Sequence, residues 1–162
     1  MEIEIRSISR GLQVADFDCG HAALNEWLVR YAHQNQRRNM SRTFVATQPG
    51  SDRVLGYYTS LASKLAPLTN STFRFDTPTM FIARLAVDRA IQGHRIGSSL
   101  MVHALTQALA VSSLTGLAAV LVSALNEEAV AFYEKVGFTQ LESDPYHLAI
   151  RLDEVQKILS KN

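Results

Sequence analysis

Residues 80–98 read Met80-Phe-Ile-Ala-Arg-Leu-Ala-Val-Asp-Arg-Ala-Ile-Gln-Gly-His-Arg-Ile-Gly-Ser98. Phe81 to Val87 has the apolar character of a buried strand, and a short turn and a glycine-bounded loop then open a long helix. A strand, a glycine loop and a helix N-terminus together can hold a phosphate. The first amides of a helix have no intrahelical partner, and the helix dipole adds positive potential there. Gly93 and Gly97 let the backbone approach a ligand without an intervening side chain. Glycines also begin helices for purely steric reasons, so the stretch alone leaves both readings open.

Working outward, Thr43–Thr47 and Val54–Ala62 are β-rich, and Gln-Pro-Gly-Ser-Asp between them predicts a hairpin loop. Ile3 to Ile8 alternates apolar and charged residues, as in a half-exposed strand. Asp18 can cap a following helix, where Leu24, Trp27, Leu28 and Tyr31 form one apolar stripe and Trp27 is a core anchor. That helical region runs, with room for a break, to about Asn39. Residues 64–79, with Pro67 and Pro78, predict a polar connection with freedom to move. A helix is expected over about Ile96–Ser113, apolar on most sides, with His103, Thr106, Gln107 and Ala110 facing outward or to an interface. Leu117 to Ala124 is a continuous apolar run, expected as an interior parallel strand. Asn126 can cap the next helix, with Glu127 and Glu128 at its positive end, and Gly137 can close it. Phe138 and Tyr146–Leu152 suggest one or two more strands, and Asp153–Leu159 a terminal helix. The order predicts an α/β (mixed α+β) architecture: one mixed sheet flanked by helices, rather than a doubly wound nucleotide fold.

With 162 residues, 47% hydrophobic and 19% charged, residues 1–162 are expected to form a single globular domain. No apolar run reaches membrane-spanning length. The acidic start Met-Glu-Ile-Glu-Ile-Arg does not resemble a signal peptide, and Cys19 stands alone. A cytoplasmic protein without a metal site is expected. The net charge of +1 conceals an asymmetry: residues 1–26, 27–126 and 127–162 sum to −3, +7 and −3. No acid lies between Asp88 and Glu127, nor between Glu26 and Asp52, where Arg30, Arg37, Arg38 and Arg42 stand. Such segments form either a solvated helix face or a basic surface for polyanions.

Two stretches carry a family resemblance. Arg84-Leu-Ala-Val-Asp-Arg-Ala-Ile-Gln-Gly-His-Arg-Ile-Gly97 resembles the acetyl-CoA pyrophosphate loop of GNAT acetyltransferases, written Gln/Arg-x-x-Gly-x-Gly/Ala, across Gln92–Gly97. Ala124-Leu-Asn-Glu-Glu-Ala-Val-Ala-Phe-Tyr-Glu-Lys-Val-Gly-Phe138 resembles the second signature, at Phe132-Tyr133-x-x-x-Gly137-Phe138. Phe17-Asp18-Cys19-Gly20, Leu24-Asn25-x-Trp27-Leu28 and Val54-Leu55-Gly56-Tyr57-Tyr58 are similar to the toxin branch found in toxin–antitoxin modules. The resemblance therefore covers nearly the whole chain.

It implies a GNAT-like fold and an acetyl-CoA-dependent N-acetyltransferase. Its acceptor would be the α-amine of an aminoacyl-tRNA, and the acetylation would stop translation. It implies a homodimer neutralised by a ribbon-helix-helix antitoxin. For the cofactor it implies Leu85, Ala86 and Val87 along the pantetheine arm, and Gln92, Gly93, His94, Arg95, Ile96, Gly97 and Ser98 at the pyrophosphate. Asn126 matches a position near the cofactor, although capping alone explains it. Tyr133 matches the tyrosine that donates a proton to the leaving thiolate, with a core aromatic as its alternative. Arg30, Arg37, Arg38 and Arg42 are candidates for tRNA phosphates. One position departs from the family pattern: Arg95 stands where glycine is usual. If its φ is positive, it costs roughly 1 kcal/mol and can misaim an amide; if it is helical, it only adds a cation. Two alternatives stay open: a GNAT acting on a small amine or a protein N-terminus, and a degenerate, non-catalytic partner-binding GNAT.

Overall fold

Seven strands pair among the described residues, and each carries at least one of the β-branched residues that favour a pleated, packed surface. The computed structural model describes residues 1–66, 73 and 76–161. In order along the chain these are β1 (Glu4–Ser7), α1 (Ala22–Arg30), α2 (Ala32–Arg37), β2 (Arg42–Thr47), β3 (Gly56–Leu65), β4 (Thr77–Val87), α3 (Ile96–Ser112), β5 (Ala119–Ser123), α4 (Glu127–Val136), β6 (Thr139–Leu141), β7 (Asp144–Arg151) and α5 (Leu152–Ser160). The sheet order is β1-β2-β3-β4-β5-β7-β6. β4 and β5 pair parallel, while β1/β2, β2/β3, β5/β7 and β6/β7 pair antiparallel. The sheet is therefore mixed, as expected from the sequence. The chain forms two compact units, Met1–Leu61 with Ala83–Ala104, and Ala62–Ile82 with Leu105–Asn162.

In the first unit, Leu28, Val45, Tyr57 and Ala86 are buried in one apolar cluster, with Leu24 and Trp27 packed against it. A buried side chain of Leu28's size contributes about 1.5–3 kcal/mol, against about 1 kcal/mol for a helix cap. This matters because α1 has no side-chain cap. Its N-cap is His21, and Asp18 does not take the capping role expected of it. The Asp18 carboxylate accepts from the Gly20 N–H at 2.9 Å and pairs with Arg89 at 2.8 Å. Packing, not capping, holds α1. The helical region breaks at Tyr31, which lies outside the expected apolar stripe with 44% of its surface exposed.

In the second unit, Leu65, Leu121, Leu141 and Ala149 form a separate buried cluster. The Asn126 side chain caps α4 by accepting from Ala129 N–H at 2.9 Å. At the other end Gly137 has φ 132°; its N–H donates to the Glu134 carbonyl, and the Phe138 N–H to that of Tyr133. This is a Schellman closure, and the Tyr133 and Phe138 rings supply its apolar contact at 5.7 Å. Of the connection expected to be mobile over 64–79, residues 67–72, 74 and 75 lie outside the described residues. Residues 64–65 end β3, and β4 begins at Thr77, earlier than the Phe81 expected.

Candidate active site

β4 pairs with β5 from Thr79↔Ala119 to Ile82↔Val122, so Ala83–Val87 extend beyond that register. Leu85, Ala86 and Val87 lie in this stretch, where strand amides and carbonyls remain available to an extended ligand. The chain then turns at Asp88. Its carboxylate is buried and accepts from Ala90 N–H at 2.9 Å and Asp18 N–H at 3.2 Å. The Asp88 N–H donates to the Leu55 carbonyl at 2.9 Å. These bonds fasten the start of the loop to two separate segments of the same unit.

The loop then bends twice through left-handed backbone, at Gly93 (φ 93°) and Arg95 (φ 59°). Gln92, Gly93, His94 and Arg95 are exposed, and Ile96 is buried as the first anchor of α3. The first amide to close on the loop is that of Ser99, which donates to the Arg95 carbonyl at 3.0 Å. The amides just before it are left for solvent or ligand. No acidic residue stands in the first turn of α3. Nothing lies within 4 Å of a Cβ built on Gly93, so its space is open. Gly97 has no positive φ and is part of the helix. An open run of amides with no acidic residue in the first turn of its helix fits a pyrophosphate. Arg95 answers the question its sequence raised: the left-handed bend is kept, with an exposed arginine in it. The bend costs roughly 1–2 kcal/mol relative to glycine.

Gly56 gives the loop its seat. A Cβ there would come within 3.0 Å of the Ala86 carbonyl, 3.1 Å of Leu100 Cδ1 and 3.2 Å of Ile96 Cγ2. Any larger residue would push β3 away from β4 and the first turn of α3 by a few tenths of an ångström. One residue on, Tyr58 faces the same helix, and its hydroxyl is 2.7 Å from His103 Nδ1. The Phe44 ring lies 4.8 Å from the imidazole. His103 is therefore turned inward on β2 and β3, not outward as the sequence suggested. α3 is apolar on most sides, so periodicity alone did not show which side met the sheet. Burial lowers the His103 pKa and keeps the ring neutral.

In the second unit, the Tyr133 ring packs edge-on against Phe132 at 5.4 Å and Phe138 at 5.7 Å. Only 4% of the residue is exposed, and burial pushes its pKa up to about 12. Its hydroxyl makes no hydrogen bond to any described residue, nor is it among the buried polar atoms left without a partner. The phenol is thus a fixed donor that stays protonated at neutral pH. The exposed Asn126 is fully accounted for by its capping bond.

Arg30, Arg37, Arg38 and Arg42 are all exposed on α1, α2 and the start of β2. Arg30 lies 3.4 Å from Glu26 and Arg42 donates to Asn39 Oδ1 at 2.8 Å, whereas Arg37 and Arg38 pair with no carboxylate among the described residues. Trp27, expected as a core anchor, is only half-buried. It stacks on Tyr57 and carries the Arg84 guanidinium over its ring. Arg84 was not singled out from the sequence, although a charge between Ile82 and Ala86 on one face of an apolar strand was a usable signal.

The model of the acetyltransferase (GNAT) family matches residues 12–138. A tRNA-acetylating toxin of Mycobacterium tuberculosis is 33% identical over 160 residues, covering 95% of each chain. The structure is also similar to that of AtaT complexed with acetyl-methionyl-tRNAfMet, with a TM-score of 0.88 at 26% identity, covering 98% of this chain and 99% of that one. A tyrosine-to-phenylalanine mutant of the AtaT toxin, bound to the C-terminus of the antitoxin AtaR and to acetyl-CoA, matches with a TM-score of 0.86. The identity is 26%, and 98% of both chains is covered.

Proposed function

The chain belongs to the acetyltransferase (GNAT) family, and from that premise we infer that it acetylates the α-amine of an aminoacyl-tRNA and so blocks translation as a toxin. The observation that carries the reading is the open amide run from Gly93 to Ser98 at the start of α3, in a chain similar over 95% of its length to a tRNA-acetylating toxin. Acetyl-CoA, when bound, supplies an acetyl group activated as a thioester. The backbone of Leu85–Val87 would line its pantetheine arm, and the 93–98 amides would take its pyrophosphate. Gln92, His94 and Arg95 flank that run, and Arg95 adds a cation. A strand amide of fixed orientation stabilises negative charge developing on the carbonyl oxygen. Tyr133 holds the proton that the departing thiolate needs.

No carboxylate or histidine is assigned as general base, and the acceptor explains this. A lysine amine, with a pKa of about 10.4, must be deprotonated by the enzyme, whereas an α-amine near 8 is already partly neutral. An ester on the same carbon lowers it further. Arg37 and Arg38 are free to meet phosphates of the acceptor RNA, with Arg30 and Arg42 beside them once their present partners exchange. The relatives place a tRNA and the C-terminus of an antitoxin on closely similar folds. We extend this to a ribbon-helix-helix antitoxin, a homodimeric toxin and a cytoplasmic reaction, where charged tRNA resides.

Incubation with radiolabelled acetyl-CoA and charged tRNA, with and without RNase, tests the reading. Label that is RNase-sensitive and lost on hydrolysis of the aminoacyl ester supports it. Label only on a small amine or a protein N-terminus refutes it. The left-handed Arg95 keeps one other reading in view, a degenerate GNAT that binds partners without catalysis. Calorimetry with acetyl-CoA decides this: no heat with the wild type, together with binding by Arg95→Gly, would sink the enzyme reading.

A further inference from the structure

The Arg84 guanidinium lies 4.2 Å from the centre of the Trp27 ring. Beneath Trp27 lies Tyr57, nearly parallel at 11° and 6.3 Å away, and the Tyr57 hydroxyl donates to the Leu24 carbonyl at 2.8 Å. Tyr57 is fully buried, while Trp27 and Arg84 are half-buried. The arginine therefore sits over the ring of an indole that is itself packed on a buried tyrosine. Stacking occupies the face of a guanidinium and leaves the N–H donors around its edge free. Among the described residues no carboxylate pairs with Arg84, and no acceptor takes any of its donors. A partly desolvated cation, held in one pose with its donors open, is a preorganised receptor for an anion.

The fold narrows which anion. On β4, residues 82, 84 and 86 share one face, and Ala86 packs in the cluster that contains Tyr57 and Leu28 of α1. Gly56 and Tyr58 of β3 belong to the other face, against Ile96, Leu100 and His103 of α3. Arg84 and the α3 N-terminus thus lie on opposite faces of these strands. The pyrophosphate read for the 93–98 amides belongs to the α3 face and Arg84 to the α1 face, which leaves the acceptor as the source of the arginine's anion. α1 runs from Trp27 to the exposed Arg30, and α2 then carries Arg37 and Arg38. That cationic run continues from the Arg84 side and suits a polymer of phosphates.

We propose that Arg84, held in place by Trp27, binds a backbone phosphate near the acceptor end of the RNA and thereby positions the amine to be acetylated. This rests on the aminoacyl-tRNA reading above. The guanidinium fork takes two phosphate oxygens while Trp27 prevents its rotation, which fixes the distance from that phosphate to the amine.

The test measures KM for aminoacyl-tRNA, affinity for acetyl-CoA, and the salt dependence of tRNA binding, in the wild type, Arg84→Ala, Arg84→Lys and Trp27→Leu. Arg84→Ala is expected to raise KM for aminoacyl-tRNA about 10- to 100-fold while acetyl-CoA affinity stays within about twofold. Its log–log salt slope should fall by about 0.7–0.9, one phosphate contact. Arg84→Lys should restore the slope but only part of the affinity, lacking the fork and the stack. Trp27→Leu should keep the slope and raise KM. Arg84→Ala with the wild-type KM and slope overturns the proposal. A KM change with an unchanged slope also overturns it, since that marks a merely structural residue. Should Arg84→Ala fail to bind acetyl-CoA, Arg84→Lys and Arg84→Gln replace it: a slope kept by lysine and lost by glutamine supports the proposal, and equal slopes overturn it. A wild type that acetylates amines but no aminoacyl-tRNA defeats the functional reading itself, before any variant is made.

Discussion

The turn at Arg95 and the turn at Gly137 both carry positive φ, and they tolerate side chains very differently. Gly137 (φ 132°) closes α4, and a Cβ there would come 2.9 Å from Ile158 Cδ1 and 3.4 Å from Ile150 Cδ1. The backbone disfavours any other residue, and a Cβ would also have to displace the flexible end of Ile158. At Arg95 (φ 59°) only the backbone objects, because the residue is exposed. A left-handed arginine costs roughly 1–2 kcal/mol, which a domain can absorb when it adds a cation beside an anion site. A glycine signature thus combines two demands, a backbone one and a steric one, and at φ 132° the backbone demand is the stricter.

Four substitutions or titrations probe that contrast, in decreasing order of effect. With Tyr133 as the proposed proton donor at the end of α4, Tyr133→Phe should lower turnover on aminoacyl-tRNA about 10²- to 10⁴-fold. Acetyl-CoA affinity by calorimetry should remain. A variant with near-normal turnover would remove Tyr133 from its role. Its pKa, pushed up to about 12 by burial, means the donor proton is retained throughout pH 7–10, so no fall in rate from Tyr133 ionisation should appear there. Gly137→Ala should destabilise by about 1–3 kcal/mol in urea unfolding. Adding Ile158→Val should return only the steric part; full recovery would show that the backbone demand is small.

Arg95→Gly is the opposite experiment. Relief of the left-handed conformation should stabilise the protein by up to about 1 kcal/mol, partly offset by glycine's unfolded-state entropy. Loss of the exposed cation should weaken acetyl-CoA binding about three- to tenfold at low salt and less at high salt. An unchanged melting temperature would mean that Arg95 carries no strain. The smallest effect belongs to His103. Burial lowers its pKa in the folded state, so the unfolded chain takes up a proton first as pH falls below about 6.5. The stability tied to neutral His103 is present above that pH and is lost as pH falls towards the lower folded value. His103→Gln should flatten the stability profile below about pH 6.5; an unaltered profile would contradict the buried pose.

Much of this was legible along the chain. The apolar run at Leu117–Ala124, the Asn126 cap and the Gly137 closure are local signals, and they sit where periodicity and capping chemistry put them. The loop between Asp88 and Ile96 was legible because its glycines and its flanking strand and helix are contiguous. What was missed concerns partners distant in sequence. Asp18 looked like a cap, but its carboxylate turned to Gly20 and Arg89. His103 looked outward because α3 is apolar on most sides, and the orientation of its helix was set by Tyr58 and Phe44. Along the chain Arg84 is one charge in an apolar strand, and its contact with Trp27 exists only in the fold.

By itself the sequence determined the elements, the mixed sheet, the two signatures and the family, since each depends on residues close along the chain or on a recognisable pattern. Only the tertiary structure decided the φ of Arg95, the inward pose of His103 and the stacking of Arg84 on Trp27. Those depend on which faces meet across long sequence separations. A side chain's environment there is set by packing and desolvation, which no local pattern encodes.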